Sequence, residues 1–73
     1  MRVASAGEIG MAVSRKRKKS GYTQKEVAEA TGLSASFISD VENGKQTAEI
    51  GKIIKLVHCL GMDIEIVDRE SGA

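Results

Sequence analysis

The residues best equipped for chemistry in this chain form one basic run, Arg15, Lys16, Arg17, Lys18 and Lys19. Such a run attracts phosphates, and its field acts over a distance. Two plainer readings fit the same residues. One is the solvated end of a soluble helix, where positive charge also complements the negative end of the helix dipole. The other is a nuclear-localisation segment. An inward-facing Arg17 fits a folded helix better than an import signal. Residues 1–25 carry seven basic side chains against one acid, Glu8, while the remainder carries four basic and nine acidic residues. A chain so divided can turn one face to phosphates and another to a different partner.

Other chemistry is poorly supplied. His58 and Cys59 are the residues with affinity for zinc, but neighbours on a helix point about 100° apart. The sequence holds no further cysteine or histidine to complete a tetrahedral set, so no metal is expected. It offers no glycine-rich phosphate loop, no paired catalytic carboxylates and no nucleophile beside a base, so neither an enzyme nor a cofactor is expected. The chemistry that remains is binding.

Size sets the next bound. Seventy-three residues make one small domain, which buries only about 60% of its unfolded surface and is often stabilised by oligomerisation. An apolar share of 41% with no proline suits a packed helical unit better than a disordered chain. No apolar run approaches the ~20 residues of a membrane span, and no signal-peptide core stands at the start. The single cysteine has no internal partner, so a reducing cytoplasm is the expected setting.

The elements that must position the binding residues are legible from caps and periodicity. Ser5 and Glu8 have the spacing of a capping box, which predicts a first helix from about Ala6 to Ser20-Gly21. Its inner stripe is Ile9, Ala12, Val13 and Arg17. Thr23 and Glu26 repeat the box and open a second helix over 24–31, ended by Gly32. Ser34 caps a third over 35–43, with Phe37, Ile38 and Val41 inward and Gly44 as its stop. Thr47 is the expected cap of a fourth helix running to Leu60, with Gly61 beyond. Ile50, Ile53, Ile54, Val57 and Leu60 form its expected core stripe. Leu56 at the edge and Cys59 opposite suggest a second buried contact, a subunit interface, although scattered surface apolar residues are the plainer reading.

After Gly61 the period becomes two. Met62, Ile64 and Ile66 alternate with Asp63 and Glu65, the pattern of a half-buried strand over 62–67. A lone strand cannot satisfy its own backbone, so its partner is expected to come from a second molecule; a frayed tail is the alternative. Residues 1–4 and 68–73 read as flexible ends around a domain over 5–61. The expected fold is all-α, a compact bundle of four to five helices with one C-terminal β-strand pairing across a dimer.

The second and third helices have a particular spacing. Ala28 is small where the next helix must cross, Gly32 permits the turn, and Ile38 points back six residues later, with Val27 and Val41 closing a miniature core. This is a helix-turn-helix unit, though an ordinary αα-hairpin is the rival reading. The stretch from Tyr22 to Lys45, YTQKEVAEATGLSASFISDVENGK, resembles the Cro/XRE-type helix-turn-helix family, which is lambda-repressor-like. The likeness rests on Thr23-Gln24, Ala28, Gly32-Leu33-Ser34, Ile38 and Glu42-Asn43-Gly44-Lys45, and extends over about residues 5 to 67. The closing strand makes the layout similar to HipB-like antitoxins.

The resemblance implies roles residue by residue. Arg17 is expected to pair with Glu42. Ser34, Ala35, Ser36, Ser39 and Asp40 are the implied base-reading positions in the major groove. They lack Arg, Asn and Gln, the usual bidentate readers, so DNA shape is expected to share in specificity. Gln24 matches the family's phosphate-binding glutamine, and Thr23, Lys45, Gln46, Thr47 and the amides opening the fourth helix are further phosphate candidates. Leu56, Cys59, Met62, Ile64 and Ile66 are the expected dimer interface. The implied protein is a homodimeric repressor of a palindromic operator in double-stranded DNA, in the cytoplasm of a bacterium or phage-infected cell and near its nucleoid. As an antitoxin and autorepressor it would also bind a HipA-like toxin kinase. The alternatives are a free-standing phage-type repressor and a module that works mainly by protein–protein interaction.

Overall fold

The computed structural model describes residues 2–69, so residues 70–73 of the expected tail lie outside it. Among the described residues there are four helices: α1 (Ala6–Lys19), α2 (Gln24–Thr31), α3 (Ala35–Glu42) and α4 (Ile50–Cys59). None is long and apolar enough to cross a membrane. Three begin on a side-chain cap. Ser5 Oγ accepts from Glu8 N–H at 3.2 Å, and Ser34 Oγ from Phe37 N–H at 3.0 Å. At α2 the box is reciprocal, with Glu26 N–H on Thr23 Oγ1 at 3.0 Å and Thr23 N–H on Glu26 Oε1 at 2.8 Å. The first box is skewed: Glu8 takes the N–H of Ala4 at 2.7 Å instead of that of Ser5.

Three of the four helices, α1, α3 and α4, end on one device. In α3, Gly44 N–H returns to Val41 O at 2.9 Å and Lys45 N–H to Asp40 O at 3.0 Å, the double bond of a Schellman motif. Gly44 stands at φ 80°, a conformation that glycine adopts without a Cβ penalty. α1 ends the same way through Tyr22 N–H on Arg17 O, and α4 through Met62 N–H on Val57 O.

The core is built from Val13, Val27, Ala28, Ile38, Val41, Ile53, Leu56, Val57 and Leu60, with Ile9, Leu33, Phe37, Ala48 and Met62 packed on its rim. α3 packs against both α1 and α2, and α4 against α2. Among the described residues two polar ones are buried, Arg17 and Thr31. Thr31 is buried, and its hydroxyl donates to Val27 O at 2.8 Å while accepting from Leu33 N–H at 3.1 Å. It thereby carries the chain from α2 into the turn.

Three expectations need correction. Leu56 is fully buried within its own chain and belongs to no subunit interface, whereas Ile50 is 60% exposed and Ile54 38%. At 100° per residue, those two lie roughly 120° and 160° around the helix from Leu56. Thr47 is not the cap of α4: it sits in a turn from Lys45 to Ala48, and Glu49 holds the cap position without a side-chain bond. Residues 62–67 form no strand, because a ladder needs a partner strand and the described residues include no strand. Met62 is half-buried, while Cys59, Ile64 and Ile66 are exposed, Ile66 almost entirely.

Among the described glycines the tightest is Gly10, where a Cβ would overlap the carbonyl oxygen of Val41 and lie 3.0 Å from that of Glu42. Gly10→Ala should therefore lower the melting temperature, by an overpacking cost of about 1–3 kcal/mol, despite alanine's ~1 kcal/mol advantage within a helix. Gly7→Ala, whose Cβ would meet only Ser5 Oγ at 3.8 Å, should leave stability unchanged or raise it. Equal melts for the two variants would contradict this close α1–α3 contact.

Candidate nucleic-acid interface

Arg17 is the hub of the surface around α2 and α3. Its Nε donates to Glu42 Oε2 at 2.6 Å and its Nη2 to Glu42 Oε1 at 2.9 Å, the fork geometry that only arginine offers a carboxylate. Nη1 donates to Tyr22 O at 2.8 Å. Tyr22 N–H in turn bonds Arg17 O, so the last turn of α1 and the residue leading into α2 are tied in both directions. Gln24 Nε2 completes the cluster by donating to Glu42 Oε1 at 3.0 Å. One carboxylate at the end of α3 thus holds the end of α1 and the start of α2.

The pair is largely out of water, with side-chain exposures of 11% for Arg17 and 8% for Glu42. Burial alone would push the Glu42 carboxyl up, but the bonds from Arg17 and Gln24 outweigh it and hold the group below its ordinary value. The same bond raises Arg17.

The network decides what the start of α2 can offer to an anion. Thr23 N–H and Glu26 N–H are consumed by the capping box. The N–H groups of Gln24 and Lys25 remain, together with the second amide hydrogen of Gln24, whose first is held by Glu42. These point from a helix N-terminus, where the dipole also favours negative charge. At the start of α4 the first N–H groups carry no side-chain cap, and the exposed Lys45, Gln46 and Thr47 lie in the turn just before it.

Along α3, Ser34, Ala35 and Ser36 are exposed, and Ser39 and Asp40 are half-buried. The first group is sterically free, although Ser34 Oγ already accepts from Phe37. The second is engaged at home. Asn43 Nδ2 donates to Ser39 O at 2.9 Å and lies 3.4 Å from Ser39 Oγ. Lys45 Nζ sits 3.4 Å from Asp40 Oδ2. Asn43 is an exposed amide beside Ser39 that sequence reasoning used only as part of a motif. Its position after an amphipathic helix, one residue before a terminating glycine, was the available signal.

The comparisons agree with this geometry. A helix-turn-helix family model, HTH_3, matches residues 13–67. The chain is 38% identical over 66 residues to the uncharacterized HTH-type transcriptional regulator y4mF of Sinorhizobium fredii (strain NBRC 101917 / NGR234), covering 90% of this chain and 87% of that one. It is 27% identical over 60 residues to the ImmF control region 10 kDa protein of Bacillus phage phi105, covering 82% and 67%. Among solved structures, a HipB–O4 20mer complex matches with a TM-score of 0.86 at 23% identity, over 96% of this chain and 99% of that one. A HipA–HipB–O2–O3 complex matches equally well. At that identity the structural likeness speaks for the fold.

Removing the guanidinium would strand a buried carboxylate. Arg17→Ala should destabilise the domain by about 3–5 kcal/mol, against under about 1 kcal/mol for an exposed pair. Because Glu42 is held below its ordinary value, the pair's contribution is complete above the ordinary carboxylate range. It is lost as pH falls through the lowered value. Melts of Glu42→Gln should therefore depend less on pH in the acid range than those of the parent. Identical acid profiles would contradict the assignment.

Proposed function

This chain belongs to the Cro/XRE-type helix-turn-helix family of transcriptional regulators, and from that premise we propose that it is a homodimeric repressor of its own promoter, the antitoxin of a HipA/HipB-like operon. The observation that carries the DNA-binding part is the Arg17–Glu42–Gln24 cluster. It locks the anion-ready start of α2 to α3, whose N-terminal residues Ser34, Ala35 and Ser36 face solvent. α3 enters the major groove and those residues approach the bases, while Ser39 and Asp40 lie one turn on. Gln24, Lys45, Gln46 and Thr47, with Thr23 beside them, hold phosphates. The contact is positioned mainly by the backbone, and sequence-dependent shape adds to a modest direct readout.

Dimerisation is the reading that best accounts for the exposed apolar residues. Ile50, Ile54, Ile64, Ile66 and Val67 are all exposed. Residues 62–67 pair with the same segment of a two-fold-related copy, which satisfies their backbone and covers Cys59, Met62, Ile64 and Ile66. Two recognition helices then stand about 34–36 Å apart on a palindromic site. The antitoxin role draws its support from the likeness to HipB, which spans both chains almost end to end. A HipA-like toxin kinase is the corresponding partner. The similarity to a phage control-region protein favours a second reading, a free-standing phage-type repressor without a toxin.

Fluorescence anisotropy over a salt series tests the proposal, with DNA from upstream of the gene and an unrelated duplex as control. Preference for the upstream DNA with a steep salt slope is expected, and weak equal binding to both would overturn it. Gln24→Ala combined with Lys45→Ala should weaken binding to every sequence and lower the slope by about 1, the share of the one cation removed. Ile64→Asp should leave a folded monomer by ultracentrifugation; a persisting dimer would place the interface elsewhere. Co-purification with a kinase encoded beside the gene separates the antitoxin from the free-standing repressor.

A further inference from the structure

The Schellman turn that ends α3 does more than stop a helix. It bonds Lys45 N–H to Asp40 O at 3.0 Å, and so brings the lysine side chain back along the helix until Nζ lies 3.4 Å from Asp40 Oδ2. The two side chains are 53% and 45% exposed. The carboxylate is poorly placed on its own. It stands in the last turn of α3, near the negative end of the helix dipole, on the face assigned to a polyanion. Lys45 neutralises it. An ion pair so exposed is weak, and the median for such pairs is under about 1 kcal/mol. A DNA phosphate can therefore compete for the lysine.

We infer that Asp40 and Lys45 act as one exchange unit, in which capture of a phosphate by Lys45 uncovers Asp40 and makes the complex depend on a cytosine amino group beside it. This rests on the DNA-binding reading above and assigns it a specificity determinant. Once Lys45 turns to the backbone, Asp40 has no counterion and needs a donor. In the major groove cytosine presents its N4 amino group, and carboxylates accept from it. Guanine presents acceptors, thymine an acceptor and a methyl, and adenine's amino group is flanked by the N7 acceptor. On those bases the carboxylate is left unpaired among phosphates. Asp40 thus discriminates by penalising the wrong DNA more than by rewarding the right one.

The test compares the parent, Asp40→Asn, Lys45→Gln and the double variant on the promoter duplex and on an unrelated duplex at one salt concentration, with melts to verify folding. Asp40→Asn should tighten binding to the unrelated duplex severalfold while gaining little on the promoter, so the ratio between them shrinks. On the unrelated duplex, Lys45→Gln should cost more in the Asp40→Asn background than in the parent, because the lysine no longer has to leave a partner. Substituting each promoter base pair in turn should reveal one C·G pair whose loss costs the parent about tenfold or more and costs Asp40→Asn nothing. If Asp40→Asn shifts both duplexes by the same factor, or no base pair loses its effect, the exchange unit is refuted and Asp40 is an ordinary surface charge. If the parent itself shows no preference between the duplexes, the DNA-binding reading fails, and this inference falls with it.

Discussion

The surface that meets a partner depends on one ion pair. Arg17 and Glu42 lie 25 residues apart and come from helices that do not follow one another. Their bidentate bond fixes the end of α1 against the end of α3. Through Gln24 and the Tyr22 carbonyl the same two side chains also fix the start of α2. A domain of this size buries a small share of its surface and is marginally stable. The polar cluster adds direction where the apolar contacts supply mainly attraction. Every member of it is satisfied, which is the condition under which a buried charge specifies a structure instead of weakening it.

Backbone geometry makes that bond reachable. Gly10 lets α1 come against the carbonyls of Val41 and Glu42, so the carboxylate of Glu42 lies within reach of an arginine seven residues further along α1. Gly44 then ends α3 in a left-handed turn and brings Lys45 beside Asp40. The same few residues set the depth of the α1–α3 contact, the cut-off of the recognition helix and the electrostatics of its exposed face. A helix-turn-helix built in this way has little slack.

What was legible in the sequence was local. Ser5, Thr23 and Ser34 announce their helices because a cap acts on an amide three residues on, and the three observed helix starts lie where those residues place them. The phase of α4 was harder. The expected stripe of Ile50, Ile53, Ile54, Val57 and Leu60 is turned from the observed one, in which Ile50 and Ile54 lie outside and Leu56 is fully buried. Six of the ten residues of α4 are apolar and spread beyond one stripe, so periodicity leaves the face open and packing against α2 decides it. The bonds from Asn43 to Ser39 and from Lys45 to Asp40 were hidden for another reason: they depend on a turn whose bonds run back across the helix end. For residues 62–67 the alternating pattern expresses only a need for a partner strand, and the described residues include none.

The helix-turn-helix fold and the relatives make this chain a small transcriptional regulator, and in the function proposed for it affinity comes from phosphates and selectivity from a sparsely equipped helix and the shape of its DNA. The most direct measurement is a nuclease footprint on the DNA upstream of the gene. The account predicts two protected half-sites related by a dyad, their centres about 10 base pairs apart or a multiple of one turn. Both should appear together as protein is added. No protection, or protection spreading evenly along the duplex without a dyad, would contradict it.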